Sequence, residues 1–312
     1  MVYRGKEMKE RFLSYGAGMQ TFALLVMAEQ GELSVDEVVF ADTGAEHPET
    51  YAHIEDVAKP ICKRMGIEFR AVRMAKEISD LSVLDSGKLE EYKAFKAATG
   101  KNPKRTERVA ANRQWCEEHG VPRVVVNSLR DEIVKRRIVP SINPQSRWCT
   151  ANSKIEPIYK GYIRPLQEQG EYVKPARALI GLGYEELTRM HTPHLSEYTV
   201  EYPLIDRKMK RKDCVEYVRK HGYSEPPKSG CYFCPFQSRK QWGKLLADHP
   251  DLYWDAVALE EADLNFPAYG LNPGGGSLRS LAGYFSNSIQ MRLDLDDSHE
   301  ELSCADAGYC HV

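Results

Sequence analysis

A few short segments carry residues whose types and spacing can do chemistry. Ser14-Tyr15-Gly16-Ala17-Gly18-Met19-Gln20-Thr21 follows the apolar pair Phe12-Leu13 and precedes a run of helical composition, Phe22 to Ala28. A glycine turn between a strand and a helix start brings main-chain N–H groups close to an anion, which is the chemistry of phosphate binding. It is not a Walker A loop, because no Gly-Lys-Ser/Thr follows, and the third glycine of a dinucleotide fingerprint is missing. The plain alternative is an ordinary strand-to-helix turn. Asp42-Thr43-Gly44 ends a second apolar run, Val38 to Ala41. Ligands on open α/β sheets bind at the carboxyl ends of strands, so Ser14 and Asp42 are candidates to share one ligand. The plain alternative for Asp42 is a turn or cap residue. His47-Pro48-Glu49-Thr50-Tyr51 then has an early proline and an acid in the first turn of a helix.

Two segments bear thiols. Cys231-Tyr232-Phe233-Cys234-Pro235 has the two-residue gap that lets both thiolates meet one metal, and Gly230 and Pro235 bracket the turn. Arg147-Trp148-Cys149 precedes Lys154, and Cys304 and Cys310 stand near Asp306 and Gly308. Cys62, Cys116 and Cys214 lie in apolar or aromatic surroundings and read as small buried hydrophobes.

In this order the motifs resemble the PP-loop ATP pyrophosphatase superfamily, in its branch related to phosphoadenosine phosphosulfate reductase. The family loop reads roughly Ser-x-Ser-Gly-Gly-x-Asp-Ser. Ser14, Gly18 and Thr21 keep its sense, whereas Gly16, Ala17 and Gln20 depart from it. Asp42-Thr43-Gly44, Pro48-Glu49-Thr50, Arg147-x-Cys149 with Lys154, and Tyr202-Pro203-Leu204 are similar to that branch. Gly181 to Arg189 resembles its Gly-x-x-x-x-Glu-x-x-Arg segment, with Glu186 and Arg189 three apart on one helical face. Arg189 is a candidate phosphate ligand there, and a surface pair with Glu185 or Glu186 is the plain alternative. The Cys231-x-x-Cys234-Pro235 element and the ending Cys304 to Cys310 look most like DNA phosphorothioation proteins of the DndC and SspD type.

The resemblance implies a fold and a reaction. The fold is α/β: a parallel twisted sheet with helices on both faces, plus a small cysteine-bearing C-terminal subdomain. ATP is expected at Ser14, Tyr15, Gly16, Ala17, Gly18, Gln20, Thr21, Asp42, Thr43, Gly181 and Arg189, with Mg²⁺ on its phosphates. An acceptor oxygen attacks the α-phosphorus, pyrophosphate leaves, and a sulfur nucleophile then displaces AMP. Ser14, Asp42, Arg147 and Lys154 are the expected catalytic residues, with Cys310 as a sulfur relay. A 4Fe-4S cluster held by Cys149, Cys231, Cys234 and one of Cys304 and Cys310 is one reading of the thiols. A zinc site at Cys231, Cys234, Cys304 and Cys310 is another, and catalytic thiols carrying persulfide are a third. The expected partners are a cysteine desulfurase as sulfur donor and a nucleic acid, DNA first, as acceptor, with a homodimer left open.

Rival activities use the same elements. A reductase of the same branch needs a Glu-Cys-Gly-x-His ending that is absent, and Cys149-Thr150 lacks the double cysteine of its cluster-bearing members. A tRNA-thiolating sulfurtransferase and a zinc-stabilised, non-catalytic nucleic-acid-binding module complete the alternatives.

The elements that must position these residues follow the same order. Gln20–Gln30 and Glu49–Met65 read as helices, Gly66–Val72 as a third strand, Ala178–Gly181 and Tyr198–Tyr202 as further strands. This alternation of strand and helix points to a parallel sheet. Residues 1–205 are expected to form the nucleotide-binding domain and 206–312 a helical subdomain, with a polar helical insertion over 86–146 placed above the site. Later helices are expected over Lys210–His221, Arg239–Ala247 and Asp251–Ala262. The chain of 312 residues carries a net charge of -2, which argues against wholesale coating of nucleic acid. Binding must use local patches, of which Arg207-Lys208-Met209-Lys210-Arg211-Lys212 is the strongest. No run is long and apolar enough for a membrane span and the first residues are polar, so a cytoplasmic location with reduced or metal-bound thiols is expected.

Overall fold

The computed structural model of the chain describes residues 8–73, 75–100, 104–141, 148–190, 196–266, 270–272 and 276–287. From the start, β1 (Lys9–Ser14) leads to α1 (Met19–Glu29) and β2 (Glu37–Ala41). Helix α2 (Pro48–His53) runs through a π-helical turn into α3 (Lys59–Met65), which Gly66, left-handed at φ 72°, ends before β3 (Glu68–Val72). An inserted unit follows: β4 (Lys76–Ser79), α4 (Ser86–Thr99), α5 (Arg105–Glu118), β5 (Arg123–Val126) and α6 (Leu129–Arg136). The short helices α7 (Trp148–Thr150), α8 (Glu156–Ile158) and α9 (Arg164–Glu168), joined by π-helical turns, lead into β6 (Tyr172–Ile180). Then come β7 (Tyr198–Glu201), α10 (Pro203–Asp206), α11 (Arg211–Lys220), α12 (Arg239–Asp248), α13 (Pro250–Glu261) and α14 (Leu278–Asn287).

Strand order in the main sheet is β3-β2-β1-β6-β7, and every pairing is parallel. The expected α/β architecture is therefore present. The period of two in a strand sends neighbouring side chains to opposite faces. Leu13, Val38 and Phe40 join the core that holds α1, Ile61 of α3 and Cys214 and Val218 of α11. Phe12, Val39 and Ala41 join the opposite core, with Ile158 and Ile163. Helix α1 is buried from Met19 to Ala28, the property of a helix apolar all round and covered on several sides. Buried Glu37, at the start of β2, accepts hydrogen bonds from Tyr162, from Tyr172 at 2.7 Å and from Lys9 at 2.9 Å.

Two expectations about organisation change. The insertion is not only helical: β4 and β5 pair as an antiparallel ladder, so the unit begins at Lys76 and has its own core around Tyr92 and Trp115. The boundary expected at 205/206 does not fall at a break in packing, because α11 completes the helical layer over α1.

Chain direction decides where a ligand can sit. The chain builds β1, β2 and β3 outward on one side, then places β6 on the other flank of β1. The carboxyl ends of β1 and β6 thus form a topological switch point, the place where open parallel sheets bind ligands.

Candidate nucleotide and thiol site

Ser14 closes β1, and the Tyr15 N–H still donates to Val39 O at 2.8 Å before the chain turns. The Tyr15 side chain enters the core edge-on to Phe69, so only its main chain borders the turn. Ala17 is left-handed at φ 57°, a conformation that costs an L-residue about 1–2 kcal/mol. Gly18 stands at the N-cap of α1, offers no side-chain cap, and is followed by a first turn without acidic residues. The N–H groups from Gly18 to Thr21 have no intrahelical partner. They form an uncapped, partly positive helix end at the switch point. Thr21 is buried, and its hydroxyl donates to Gly18 O at 3.1 Å, so it shapes the turn.

The flank from β6 comes very close. A β-carbon on Gly181 would meet the Thr21 main chain. Glu186, buried, accepts from Gly183 N at 3.0 Å and from Gln20 Nε2 at 3.4 Å, and it pairs with Arg189. Glu186 and Arg189 do meet as a pair three residues apart, on a 3₁₀ turn, and Gln20 joins them.

At the end of β2 the Asp42 carboxylate is shared. Oδ1 accepts from Gly44 N and Tyr51 Oη, both at 2.8 Å, and Oδ2 pairs with Arg73. Asp42 thus has the turn-capping role as well as an exposed guanidinium partner. Gly44 is left-handed at φ 71°, and a β-carbon there would lie 2.9 Å from Ser128 Cβ. The inserted unit docks at this turn, where Leu129 N donates to Thr43 O at 2.8 Å.

Segment 228–232 lies across the same strand ends. Glu46 and Cys231 form an antiparallel bridge, and Tyr232 N donates to Ala45 O at 3.0 Å. On the other side, Ser229 Oγ would be 3.1 Å from a β-carbon on Gly18. Cys231 Sγ is 3.4 Å from Thr43 Oγ1 and 3.9 Å from Glu46 Oε1, and Glu46 Oε2 accepts from Gly230 N at 2.8 Å. Burial, reinforced by the Glu46 carboxylate, pushes the Cys231 thiol well above its usual range, while the Lys154 ammonium acts in the opposite sense. Lys154 sits on the π-helical turn Ala151–Ile155 that follows Cys149. Cys149 and Cys234, both half-buried, pack in the same apolar cluster as Cys231.

The structure therefore brings Ser14, Gly16–Thr21, Asp42, Thr43, Gly181, Lys154, Cys149, Cys231 and Cys234 to one end of the sheet. Arg147, Cys304 and Cys310 lie outside the described residues. Among the described residues no group of three or more His, Cys, Asp or Glu side chains is arranged to hold a metal ion. Cys231 is turned to Thr43 and Glu46. Cys62, Cys116 and Cys214 are buried as expected.

Glu46, Arg73, Ser229 and His249 belong to this end of the sheet but were not singled out by the sequence. Arg73 directly follows the third strand, the only local signal among them. The others reach the site through tertiary contacts. A cleft of about 410 Å³ opens beside Cys231 and Cys234, with His47, Glu49, Gln237 and His249 on its walls. No protein-family model matches this chain, and no curated protein matches it.

Proposed function

We propose that this chain is an AMP-forming ATP pyrophosphatase with a PP-loop, adenine nucleotide alpha hydrolase-like fold. It adenylates an acceptor oxygen so that sulfur can replace it. One observation carries the reading: an uncapped helix N-terminus, led by a glycine turn, stands at the switch point of a parallel sheet with Gly181 pressed against it.

In this reading the triphosphate lies over the N–H groups of Gly18 to Thr21. Asp42 and Arg73 offer a carboxylate and a guanidinium at the next strand end, charges suited to a magnesium–triphosphate complex. Mg²⁺ bound with ATP would supply charge to neutralise the departing pyrophosphate. The acceptor oxygen attacks the α-phosphorus, the bond to the bridging oxygen breaks, and a sulfur nucleophile later expels AMP. The protein acts by positioning and by fixed charge. Lys154, beside the thiols, supplies positive charge where sulfur arrives, and Arg147 is assigned to the acceptor's phosphate.

A DNA backbone is the acceptor we favour, with a cysteine desulfurase as sulfur donor. The 207–212 run supports this: Arg207, Lys208, Lys210, Arg211 and Lys212 are exposed. The run is tied to the turn after β6 by Tyr184 N donating to Met209 O at 2.8 Å. It therefore borders the switch point. Exchange of labelled pyrophosphate into ATP tests the adenylation step. The exchange is expected to need an acceptor, with DNA the best. Its absence with DNA, tRNA and small acceptors alike would overturn the proposal.

A further inference from the structure

We propose that the cleft beside Cys231 and Cys234 is a nucleobase site, which takes one unstacked base of the acceptor strand and so fixes which phosphate is presented for adenylation. This rests on the pyrophosphatase reading for its biological sense, but the fit of the cleft to a base does not. At about 410 Å³ the cleft falls within the range of small-ligand pockets, roughly 300–1,000 Å³. Its walls come from the chain before and within α2, from segment 227–237 and from α12 with the residue after it.

Two amides in these walls each have one end tied and the other open. Gln241 Oε1 accepts from Ser238 N at 2.8 Å, which sets the orientation of the amide. Its Nε2 is buried with no hydrogen-bond partner among the described residues. Gln237 is only 5% exposed, and its Nε2 donates to Tyr232 O at 2.7 Å. Its Oε1, with the His47 ring beside it, makes no hydrogen bond of ordinary geometry to a described residue. The wall therefore holds a spare donor and a spare acceptor. Each costs about 1–3 kcal/mol while buried and unmet.

A ligand with an acceptor and a donor side by side relieves both. The edge of a nucleobase has this pattern, and glutamine amides pair with base edges. An unstacked base also has two flat faces. Phe236 and Leu245 give the cleft an aromatic and an aliphatic surface for them, the means by which extruded bases are held. The charges nearby admit a phosphate. Glu49 is held by His249 at 2.6 Å and Asp248 by Lys244 at 2.5 Å, and Lys228 adds positive charge beside Ser229.

Location ties the cleft to the reaction. Ser229 and Gly230 line it, yet Ser229 Oγ would lie 3.1 Å from a β-carbon on Gly18 of the glycine turn, and Gly230 N is held by Glu46. One stretch of backbone thus separates the cleft from the glycine turn. A base seated on one side of it anchors its own strand next to the triphosphate proposed on the other.

The full chain is mixed with short DNA duplexes in which 2-aminopurine, a base analogue that brightens on unstacking, is moved position by position, with and without Mg-ATP. Emission is expected to rise at one position. Gln241→Glu keeps an oxygen to accept from Ser238 N and removes only the donor. It should weaken binding of the intact duplex by about tenfold or more, and should weaken far less the binding of the same duplex with an abasic site at the bright position. That comparison separates a lost base contact from added negative charge. Phe236→Leu should lose about fivefold or more by the same comparison. Circular dichroism checks the folding of both variants. Emission that rises nowhere, or equal losses on intact and abasic DNA in both variants, would overturn the proposal. So would a matching loss of ATP affinity in Gln241→Glu, since the base in the cleft would then be the nucleotide's own. A base-dependent loss in a protein that forms no AMP would sink the pyrophosphatase reading alone. AMP formation on DNA with equal losses would sink only this site.

Discussion

Gly181 and Thr21 touch backbone to backbone: a β-carbon on Gly181 would stand 2.6 Å from Thr21 Cγ2 and 2.8 Å from Thr21 N. The end of β6 thereby fixes the first turn of α1. Gly181→Ala must push the two apart, at a cost of about 1–3 kcal/mol in a packed interior. The same movement displaces the N–H groups proposed to hold phosphate. Mg-ATP is expected to raise the Tm of the wild type by mass action and to leave that of the variant nearly unchanged. Gly16→Ala is the control for folding, since a β-carbon there meets nothing within 4 Å among the described residues. Its Tm without nucleotide should match the wild type. Equal ATP-induced shifts in wild type and Gly181→Ala would show that this contact does not shape the site.

Gly44 makes the corresponding contact for the inserted unit. Its φ of 71° and the 2.9 Å approach to Ser128 Cβ leave no room for a side chain. Gly44→Ala should cost about 2 kcal/mol or more, combining left-handed strain with the clash. Limited proteolysis should then cut within residues 76–136 faster than in the wild type. Unchanged proteolysis and Tm would argue against the docking of α6 on the Asp42-Thr43-Gly44 turn.

Acid should weaken the fold through His53. Its ring packs edge-on to Phe22 at 4.7 Å, and both ring nitrogens are buried with no hydrogen-bond partner among the described residues. Burial holds its pKa below the usual value of 6.5. His47 is lowered as well, by burial first and by His249, against the pull of Glu46 and Glu49. A histidine depressed in the folded state binds fewer protons than in the unfolded chain. Its contribution is therefore complete above about pH 6.5 and is lost as pH falls below it, at no more than about 1.4 kcal/mol per pH unit for each group. Urea midpoints at pH 7.5 and pH 5 should differ more for the wild type than for His53→Leu. Identical differences would remove His53 from the account.

Much of this arrangement was legible in the sequence, for physical reasons. The apolar runs at Phe12-Leu13 and Val38–Ala41 are buried on both faces, so they read as strands. Strand β6 starts at Tyr172, six positions before the expected Ala178, because Lys174, Pro175 and Arg177 break the apolar pattern without ending the strand. The ladder β4–β5 was missed because Lys76-Glu77-Ile78-Ser79 is mostly polar and its partner strand lies more than forty positions away. The glycine turn, Asp42 and the Cys-x-x-Cys element could be found because local spacing defines them. Glu46 against Cys231 could not, since 185 positions separate them and only the crossing of segment 228–232 joins them. Glutamate before a helix start is ordinary in sequence.

The basic run beside the switch point makes a prediction about the acceptor. Neutralising Lys208, Lys210 and Arg211 together should weaken DNA binding and flatten its dependence on salt, by roughly one unit of slope for each phosphate that the protein no longer neutralises. The ATP-induced rise in Tm should persist, because these side chains are not part of the glycine turn. Unaltered affinity and slope would place the acceptor elsewhere.

The bond cleaved in ATP tests the central claim most directly. The full chain is incubated with Mg²⁺, acceptor DNA, a charged desulfurase and ATP labelled at the α-phosphate, and the products are separated. The account predicts AMP and pyrophosphate, with Ser14→Ala and Asp42→Ala greatly slowed while still folded. ADP and inorganic phosphate as the products would contradict it.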